Sequence, residues 1–268
     1  MRLIGRHITS SGGISAVMEY AAKMGSNTAQ IFMGNPRSWN AQMPNWDNAM
    51  FESLKGKYGI SELFVHMPYL PNLASSEGRI IELTKVSVRT QIKKCNDIGI
   101  ENLVVHLGST KGRPKSEGIA NAVAILKEYV PLFNGRILIE NEAGQNNNIG
   151  ASFEDLAEIR DSVDADNLFF CIDTCHAFAY GYDIRNLDII EEIDAKLGMK
   201  NVKALHCNDA LFGLGSKKDR HANIGFGEIG RDALKAFIWA DKTNSIPVIL
   251  ETPSSPLISE SEEIALIK

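Results

Sequence analysis

The sequence predicts an α/β fold in which eight parallel strands and their intervening helices close into a (β/α)8 TIM barrel. Three observations support it. Apolar, strand-like segments alternate with helical patterns along most of the 268 residues, which suits the size of such a barrel. Nearly every strand-like segment ends in a histidine or a carboxylate. No linker, low-complexity tract or strong internal repeat divides the chain, so we expect a single domain over residues 1–268.

Eight segments have the short apolar character of buried strands. They are Arg2–Ile8, Thr28–Met33, Leu63–Met67, Asn102–Leu107, Arg136–Asn141, Leu168–Asp173, Val202–Cys207 and Pro247–Glu251. A doubly wound open sheet is the structural alternative. The barrel is favoured because polar residues that follow so many strands converge more easily at the mouth of a closed barrel.

Helical patterns occupy the intervals between the strands. In the first interval, apolar residues recur three, four and seven positions apart, and Gly25 follows as a stop signal. Ser152-Phe-Glu-Asp155 resembles a capping box, which starts a helix. The other expected helices run from about Ser75 to Asp97, over Leu187–Leu197, Asp232–Ala240 and Ser259–Ile267.

Composition limits the location and the redox chemistry of the chain. The chain is 44% hydrophobic, but no apolar run approaches the ~18 residues that a membrane span needs, and the N-terminal residues lack a secretory signal. We therefore expect a soluble cytoplasmic protein that has no membrane partner. The spacing of the cysteines fits neither a zinc finger nor a C-x-x-C pair, so we expect plain buried thiols. They are Cys95, Cys171, Cys175 and Cys207.

A glycine-rich motif late in the chain matches the dinucleotide-binding pattern G-x-G-x-x-G. It is Gly225-Phe-Gly-Glu-Ile-Gly230. The dinucleotide interpretation requires a strand immediately before the motif, normally in the first βαβ unit. Here a polar segment precedes it, so we interpret the motif as a loop that enters the seventh helix.

Nine residues at or near the strand ends are candidate metal ligands, because histidine and carboxylate bind zinc and similar ions. They are His66, His106, Glu140, Asp173, His176, His206, Asp219, His221 and Glu251. A single histidine at a strand end is more often structural, so the prediction depends on their joint occurrence. Only His7 remains outside the set. It ends the first strand, so we expect it to support the ligands or to contact substrate.

Nine ligands are too many for one ion and suit three, since a catalytic zinc ion usually takes three protein ligands. Clustered zinc ions suit hydrolysis of phosphodiesters, and the sequence has no G-x-S-x-G nucleophile motif. The formal charge of −5 argues against a general nucleic-acid coat. Three divalent ions would bring the chain to roughly +1, so a phosphodiester substrate is not excluded.

Several segments resemble the signature segments of the endonuclease IV family of apurinic/apyrimidinic endonucleases. They are QIFMGNPRSW, HMPYLPNLAS, VVHLGS, IENEAGQ, CIDTCHAFAYGYDI, HCNDA, KKDRHANIG and ILETP. The resemblance extends from His7 to Glu251, and its order and spacing are highly specific. It implies a TIM barrel with three zinc ions at the C-terminal rim. It also implies cleavage of double-stranded DNA on the 5′ side of an abasic site, which leaves a 3′-hydroxyl and a 5′-deoxyribose phosphate, and trimming of blocked 3′ ends.

The resemblance also assigns roles to the candidate ligands. It implies that His66, His106 and Glu140 hold the first ion and that Glu140 bridges to the second. It completes the second ion with Asp173, His206 and Glu251, and it gives the third ion His176, Asp219 and His221. Glu251 and Glu140 are the expected catalytic residues, with Glu251 beside the attacking hydroxide.

Loops near the barrel mouth are expected to contact DNA. The resemblance places Arg37, Tyr69 and Leu70 at positions that enter the duplex. Apolar wedges kink DNA, and an abasic site has already lost the stacking that flipping must break. Arg220 lies between two candidate ligands and could meet phosphates, and His7 belongs to the same cleft. We expect the protein to act as a monomer.

The residues alone also allow two other functions. Metal-dependent sugar isomerases also place carboxylates and histidines at barrel strand ends, but they need about two metals and a ligand set richer in carboxylates. A non-catalytic DNA-binding or zinc-storage protein is the second alternative. Five histidines among nine ligands favour three zinc ions.

Overall fold

The computed structural model describes residues 2–39 and 45–268, so Met1 and residues 40–44 of the expected domain lie outside the described residues. The strands, in chain order, are β1 (Ile4–Ile8), β2 (Thr28–Phe32), β3 (Glu62–His66), β4 (Asn102–Val105), β5 (Arg136–Glu140), β6 (Leu168–Asp173), β7 (Val202–His206), β8 (Asp209–Ala210), β9 (His221–Ala222) and β10 (Val248–Leu250). The α-helices are α1 (Gly13–Lys23), α2 (Asn48–Tyr58), α3 (Gly78–Ile98), α4 (Lys115–Tyr129), α5 (Phe153–Val163), α6 (Thr174–Tyr180), α7 (Asp188–Leu197), α8 (Arg231–Trp239) and α9 (Glu260–Ile267).

Eight parallel strands close into a barrel in the order β1-β10-β7-β6-β5-β4-β3-β2, and β2 pairs with β1 to complete the circle. The TIM-barrel prediction is therefore confirmed, and the open sheet is excluded. Most strands end one or two residues before their predicted limits, because the chain turns into the loop once the ladder of hydrogen bonds ends. No range was predicted for α2 or α4, and the short helix α6 and the hairpin of β8 and β9 were not predicted.

The helices form where the sequence supplies an apolar face and a start signal. In α1 the apolar face buries Ile14, Val17, Met18 and Ala21. The predicted start at Ser152 is confirmed, since its hydroxyl accepts a hydrogen bond from Asp155 N–H at 3.1 Å. At α9, Ser259 and Glu262 form a reciprocal capping box. None of the described helices is long and apolar enough to cross a membrane.

The barrel interior contains a layer of six buried side chains, one from each of six strands. They are Phe64, Val104, Leu138, Cys171, Ala204 and Ile249. A larger apolar layer fills the space between the strands and the helices. All four cysteines are free and buried, as predicted. The interior is a packed plug rather than a pore, so a site can form only above or below it.

The glycine-rich motif binds a carboxylate of its own chain. Asp209 accepts backbone N–H bonds at 2.9–3.3 Å from Ala210 and from four residues of the loop, namely Gly225, Gly227, Ile229 and Gly230. A Cβ atom on Gly227 would lie 2.5 Å from Asp209 Oδ1, so this position requires glycine. The loop leads into α8, which lies in the seventh interval between barrel strands, as predicted. Asp209 occupies the cradle that a dinucleotide phosphate would need.

Candidate metal centre

The candidate ligands at the strand ends form the layer directly above the interior plug. Side chains alternate along a strand, so a residue two positions after an interior side chain also points inward. Six candidate ligands stand in that relation to the six plug residues: His66, His106, Glu140, Asp173, His206 and Glu251. The alternation of six strands therefore directs one ligand-type side chain each to the C-terminal mouth of the barrel.

The first ligand group contains His66, His106 and Glu140. Glu140 Oε2 lies 3.2 Å from His66 Nε2 and 3.5 Å from His106 Nε2. Glu140 is fully buried, and His66 is 2% exposed. A carboxylate that is buried between two imidazoles has the composition of a three-ligand zinc site.

The second group contains Glu140, Asp173, His206 and Glu251. His206 Nδ1 lies 2.9 Å from Glu140 Oε1 and 3.3 Å from Glu251 Oε2. Asp173 Oδ2 is farther from that nitrogen, at 4.0 Å. Glu140 thus belongs to two groups, and its two oxygens face different imidazoles.

The third group contains Asp173, His176 and His221. Asp173 caps α6 by accepting a hydrogen bond from His176 N–H at 2.8 Å, which explains the Asp-x-x-His spacing. Asp219 Oδ1 lies 3.2 Å from His176 Nε2 and 3.4 Å from His221 Nε2, so the residue expected here is also present. Asp173 is shared with the second group, and the three groups therefore form one continuous centre.

Each of the five imidazoles directs one nitrogen at the carboxylates and has a partner for the other. Three remote nitrogens lie 2.7–3.2 Å from backbone carbonyl oxygens. They are Nδ1 of His66 at Met67, Nδ1 of His176 at Asn141 and Nδ1 of His221 at Glu251. Side chains serve the other two: Glu142 Oε1 lies 3.0 Å from His106 Nδ1, and Gln30 Oε1 lies 2.9 Å from His206 Nε2. Such partners fix the tautomer and the ring orientation of metal-binding histidines.

The charges of the centre depend on one another. Burial opposes ionisation of Glu140, but the surrounding imidazoles, His206 foremost, hold its pKa well below the usual range. Burial likewise opposes protonation of His106, yet Glu140 and Glu142 raise its pKa to about 10. For His176, Asp173 and Asp219 outweigh burial and raise the pKa well above its ordinary value. A cation that enters the centre would therefore replace protons.

Two buried nitrogens test whether the residues fit a metal ion. In the described part of the chain, His176 Nε2 and His221 Nε2 have no hydrogen-bond partner, although carboxylate oxygens lie 3.2–3.5 Å away. Buried polar atoms rarely remain unpartnered. Both nitrogens point into the third ligand group, where an ion could accept their lone pairs. The donor set and its geometry fit zinc or a similar ion.

The centre lies at the bottom of an open cavity of about 1120 Å³. Arg37, Tyr69, Arg220 and His7 line the cavity, as do His66, His106, His176 and Glu251. Leu70 is half-buried and is not among the lining residues. Tyr69 is 58% exposed, and its N–H bonds to Pro36 O at 3.0 Å, which joins the two loops predicted to contact DNA. Of the five side chains predicted to contact DNA, all but that of Leu70 thus line the cavity above the ligand groups.

His7 supports the centre from outside the three ligand groups. Its Nδ1 lies 3.1 Å from Gln30 Nε2 and 3.5 Å from Glu251 Oε1. Its ring packs against Phe32 with centroids 4.4 Å apart. Burial lowers the pKa of His7, which favours the neutral ring.

Four polar residues that hold the ligands were not predicted, namely Gln30, Asn141, Glu142 and Asn208. Asn208 donates to Asp173 Oδ2 at 2.6 Å and accepts from Glu251 N–H at 2.7 Å. Asn141 accepts from Asp173 N–H at 2.7 Å. Three of the four lie within two residues of a candidate ligand, which is a signal that the sequence offers. Gln30 lies inside β2, and only the period of that strand indicates that it points inward.

Comparisons with known proteins agree with this geometry. A family described as "Xylose isomerase-like TIM barrel" matches residues 18–267. The probable endonuclease 4 of Cenarchaeum symbiosum is 40% identical over 262 residues, which cover 93% of this chain and 92% of that protein. Endonuclease IV of Thermus thermophilus superposes with a TM-score of 0.85 at 30% identity, covering 99% of this chain and 97% of its own. A D-tagatose 3-epimerase-like protein shares only the fold, at 21% identity and a TM-score of 0.73 over 98% and 95% of the two chains.

The fold and the rim of ligand-type side chains make the chain a TIM barrel of the xylose isomerase-like class. Within that class, the chain belongs to the endonuclease IV family and is a hydrolase.

Proposed function

We propose that the protein is a DNA-repair endonuclease that hydrolyses the phosphodiester on the 5′ side of an abasic site. The products are a 3′-hydroxyl and a 5′-deoxyribose phosphate, and the same centre removes blocking groups from 3′ ends. One observation carries the proposal. Three ligand groups merge at the bottom of a cavity large enough for an extruded nucleotide, in a chain of the endonuclease IV family.

The cofactor of this proposal is three zinc ions per chain. His66, His106 and Glu140 would hold the first ion, and Glu140, Asp173, His206 and Glu251 would hold the second. His176, Asp219 and His221 would hold the third, and Asp173 lies close enough to contribute there as well. When bound, the ions supply positive charge for the phosphate oxygens and acidify a water molecule.

The chain's own residues orient the reaction. Glu251 is the more accessible of the two expected catalytic carboxylates, with a side chain 16% exposed beside the fully buried Glu140. Glu251 would accept a hydrogen bond from the attacking water, while Gln30, which donates to Oε1 of Glu251 at 2.5 Å, keeps the carboxylate in place. Glu140 contributes charge and fixes the rings of His66 and His206.

DNA would enter across the open mouth of the cavity. Arg37 and Arg220 are exposed at its edge and would meet phosphates. Tyr69 and Leu70 would hold the kinked duplex open, since inserted apolar side chains unstack a base step. His7 would contact the extruded sugar phosphate beside Glu251. The proposed partner is double-stranded DNA with abasic sites or blocked 3′ ends, on which the protein acts as a monomer in the cytoplasm.

Sugar isomerisation remains the alternative because the epimerase-like neighbour has the same fold. The ligand set favours the nuclease, since five imidazoles take part in three merging groups. A storage protein would bind metal without cleaving DNA.

One experiment separates these functions. We expect about three ions per chain, mostly zinc, by elemental analysis after metal-replete expression. We also expect 5′ incision of an abasic duplex without added magnesium and no incision of the intact duplex. One ion or none per chain, or a 3′ unsaturated aldehyde instead of a 3′-hydroxyl, would overturn the proposal. Metal binding without incision would indicate storage, and conversion of a ketose would indicate an isomerase.

A further inference from the structure

One carboxylate beside the centre lies outside all three ligand groups. Glu142 follows Glu140 by two residues and is 5% exposed. Its Oε1 lies 3.0 Å from His106 Nδ1, whereas His106 Nε2 faces Glu140. Glu142 therefore contacts His106 on the side remote from the first ligand group.

This contact distinguishes His106 from the other four imidazoles. The hydrogen-bond partners of the remote nitrogens of those four are neutral oxygens: three backbone carbonyls and the amide of Gln30. His176 Nδ1 also lies 3.4 Å from Glu140 Oε1, but of the five remote nitrogens only that of His106 has a carboxylate as its hydrogen-bond partner. The His106 side chain is also 30% exposed, against 2% for His66, so packing restrains its ring less.

The position of Glu142 is itself well defined. Its Oε2 accepts a hydrogen bond from Asn148 Nδ2 at 2.7 Å. Asn148 N–H donates to Gln145 O at 2.9 Å, and Asn148 forms a bridge to Ser109 in the loop that follows β4. The loop of Glu142 is thus joined to the loop that follows His106, and this link fixes the positions of the two side chains relative to each other.

We propose that Glu142 is a positioning residue that directs His106 Nε2 at the first ligand group and strengthens metal binding there through its charge. The inference rests on the proposed metal centre and adds a residue to it. A carboxylate that accepts from the remote N–H of an imidazole fixes the ring and increases its strength as a ligand. Because His106 is the most exposed imidazole of its group, it gains more from such a partner than His66 does.

Two variants separate orientation from charge. Glu142→Gln keeps an acceptor for His106 Nδ1–H but removes the charge, and Glu142→Ala removes both. Glu158→Gln makes the same charge change on an exposed position of α5 and is the matched control. His66→Ala removes a ligand of the same group and marks the ion in question.

The measurement is zinc loss from purified protein in a series of chelator concentrations, followed as ions per chain. We expect one ion, the one lost in His66→Ala, to bind about 10-fold more weakly in Glu142→Gln and about 100-fold more weakly in Glu142→Ala. The other ions should stay as in the parent, and Glu158→Gln should match the parent throughout. In cobalt-substituted protein, the visible spectrum should change more in Glu142→Ala than in Glu142→Gln, because only the alanine variant frees the ring.

The outcomes distinguish this inference from the proposed function. A parent that binds no ion contradicts the metal centre itself. If the parent binds ions and both Glu142→Gln and Glu142→Ala resist chelator as well as the parent does, the role of Glu142 alone is overturned. Equal weakening of the binding of all ions would overturn it as well. If circular dichroism shows that Glu142→Ala does not fold, Glu142→Gln decides, and parental affinity in that variant overturns the proposal.

Discussion

Charged side chains occur at both ends of the barrel, but they have different neighbours. At the end where the strands begin, cations meet acids: Arg136 lies 3.6 Å from Glu62, and Lys242 lies within 2.7 Å of Glu191 and Asp194. These pairs are partly exposed. At the other end, buried carboxylates meet imidazoles, and two imidazole nitrogens lack a hydrogen-bond partner within the described residues. Charge at the first end is thus balanced by ion pairs within the chain, whereas the second end holds clustered groups that could bind an external cation.

The largest effect should come from the more accessible of the two expected catalytic carboxylates. We expect Glu251→Gln to lower kcat by about 10³-fold or more, because both metal binding and the orientation of water depend on this charge. Abasic-DNA binding should remain largely intact. Single-turnover cleavage and fluorescence-anisotropy binding measure the two properties. A near-parental single-turnover rate would remove Glu251 from the mechanism.

A smaller but still clear effect should come from the internal carboxylate that organises the rim hairpin. Asp209→Asn replaces one acceptor oxygen of a five-donor cradle with an amide N–H. We expect a loss of about 3 kcal/mol in the free energy of unfolding, measured by urea denaturation at fixed zinc concentration. A loss below about 1 kcal/mol would show that the glycine loop does not depend on this charge.

The exposed loops above the rim should affect recognition more than chemistry. Arg37→Ala and Tyr69→Ala should each weaken abasic-DNA binding by roughly 1–3 kcal/mol. For Arg37→Ala the dependence of binding on salt should also flatten, since one fewer phosphate is neutralised. Metal content and cleavage at saturating enzyme should change far less than in Glu251→Gln. If both variants bind abasic DNA as tightly as the parent at several salt concentrations, these loops do not take part in DNA recognition.

The smallest effect should come from the opposite end of the barrel. Arg136→Ala removes a partly exposed ion pair with Glu62, so we expect at most about 1 kcal/mol in the free energy of unfolding. Metal content and kcat should equal those of the parent. A variant that lost metal or kcat would break the distinction between the two ends of the barrel.

The amino-acid sequence was sufficient to predict the eight strands, to favour a barrel over an open sheet and to identify the side chains that gather at the rim. It could do so because strand alternation and short apolar segments are local properties, and because all nine candidate ligands lie at or near strand ends. The resemblance of its motifs to the endonuclease IV family was confirmed by the relatives and by the solved structure. The assignment of individual ligands to ions remains a prediction.

Which of these groups face one another is evident only in the folded barrel. Asp173 lies in two ligand groups, and Asn208 joins Asp173 to Glu251 across three strands. Asp209 fills the glycine loop, Gln30 of β2 supports the ring of His206, and Glu142, which follows β5, supports the ring of His106. These relations join residues as many as 176 positions apart in the chain. The sequence records which side chains point inward, but their distances arise only when the barrel closes, because closure sets the register between strands.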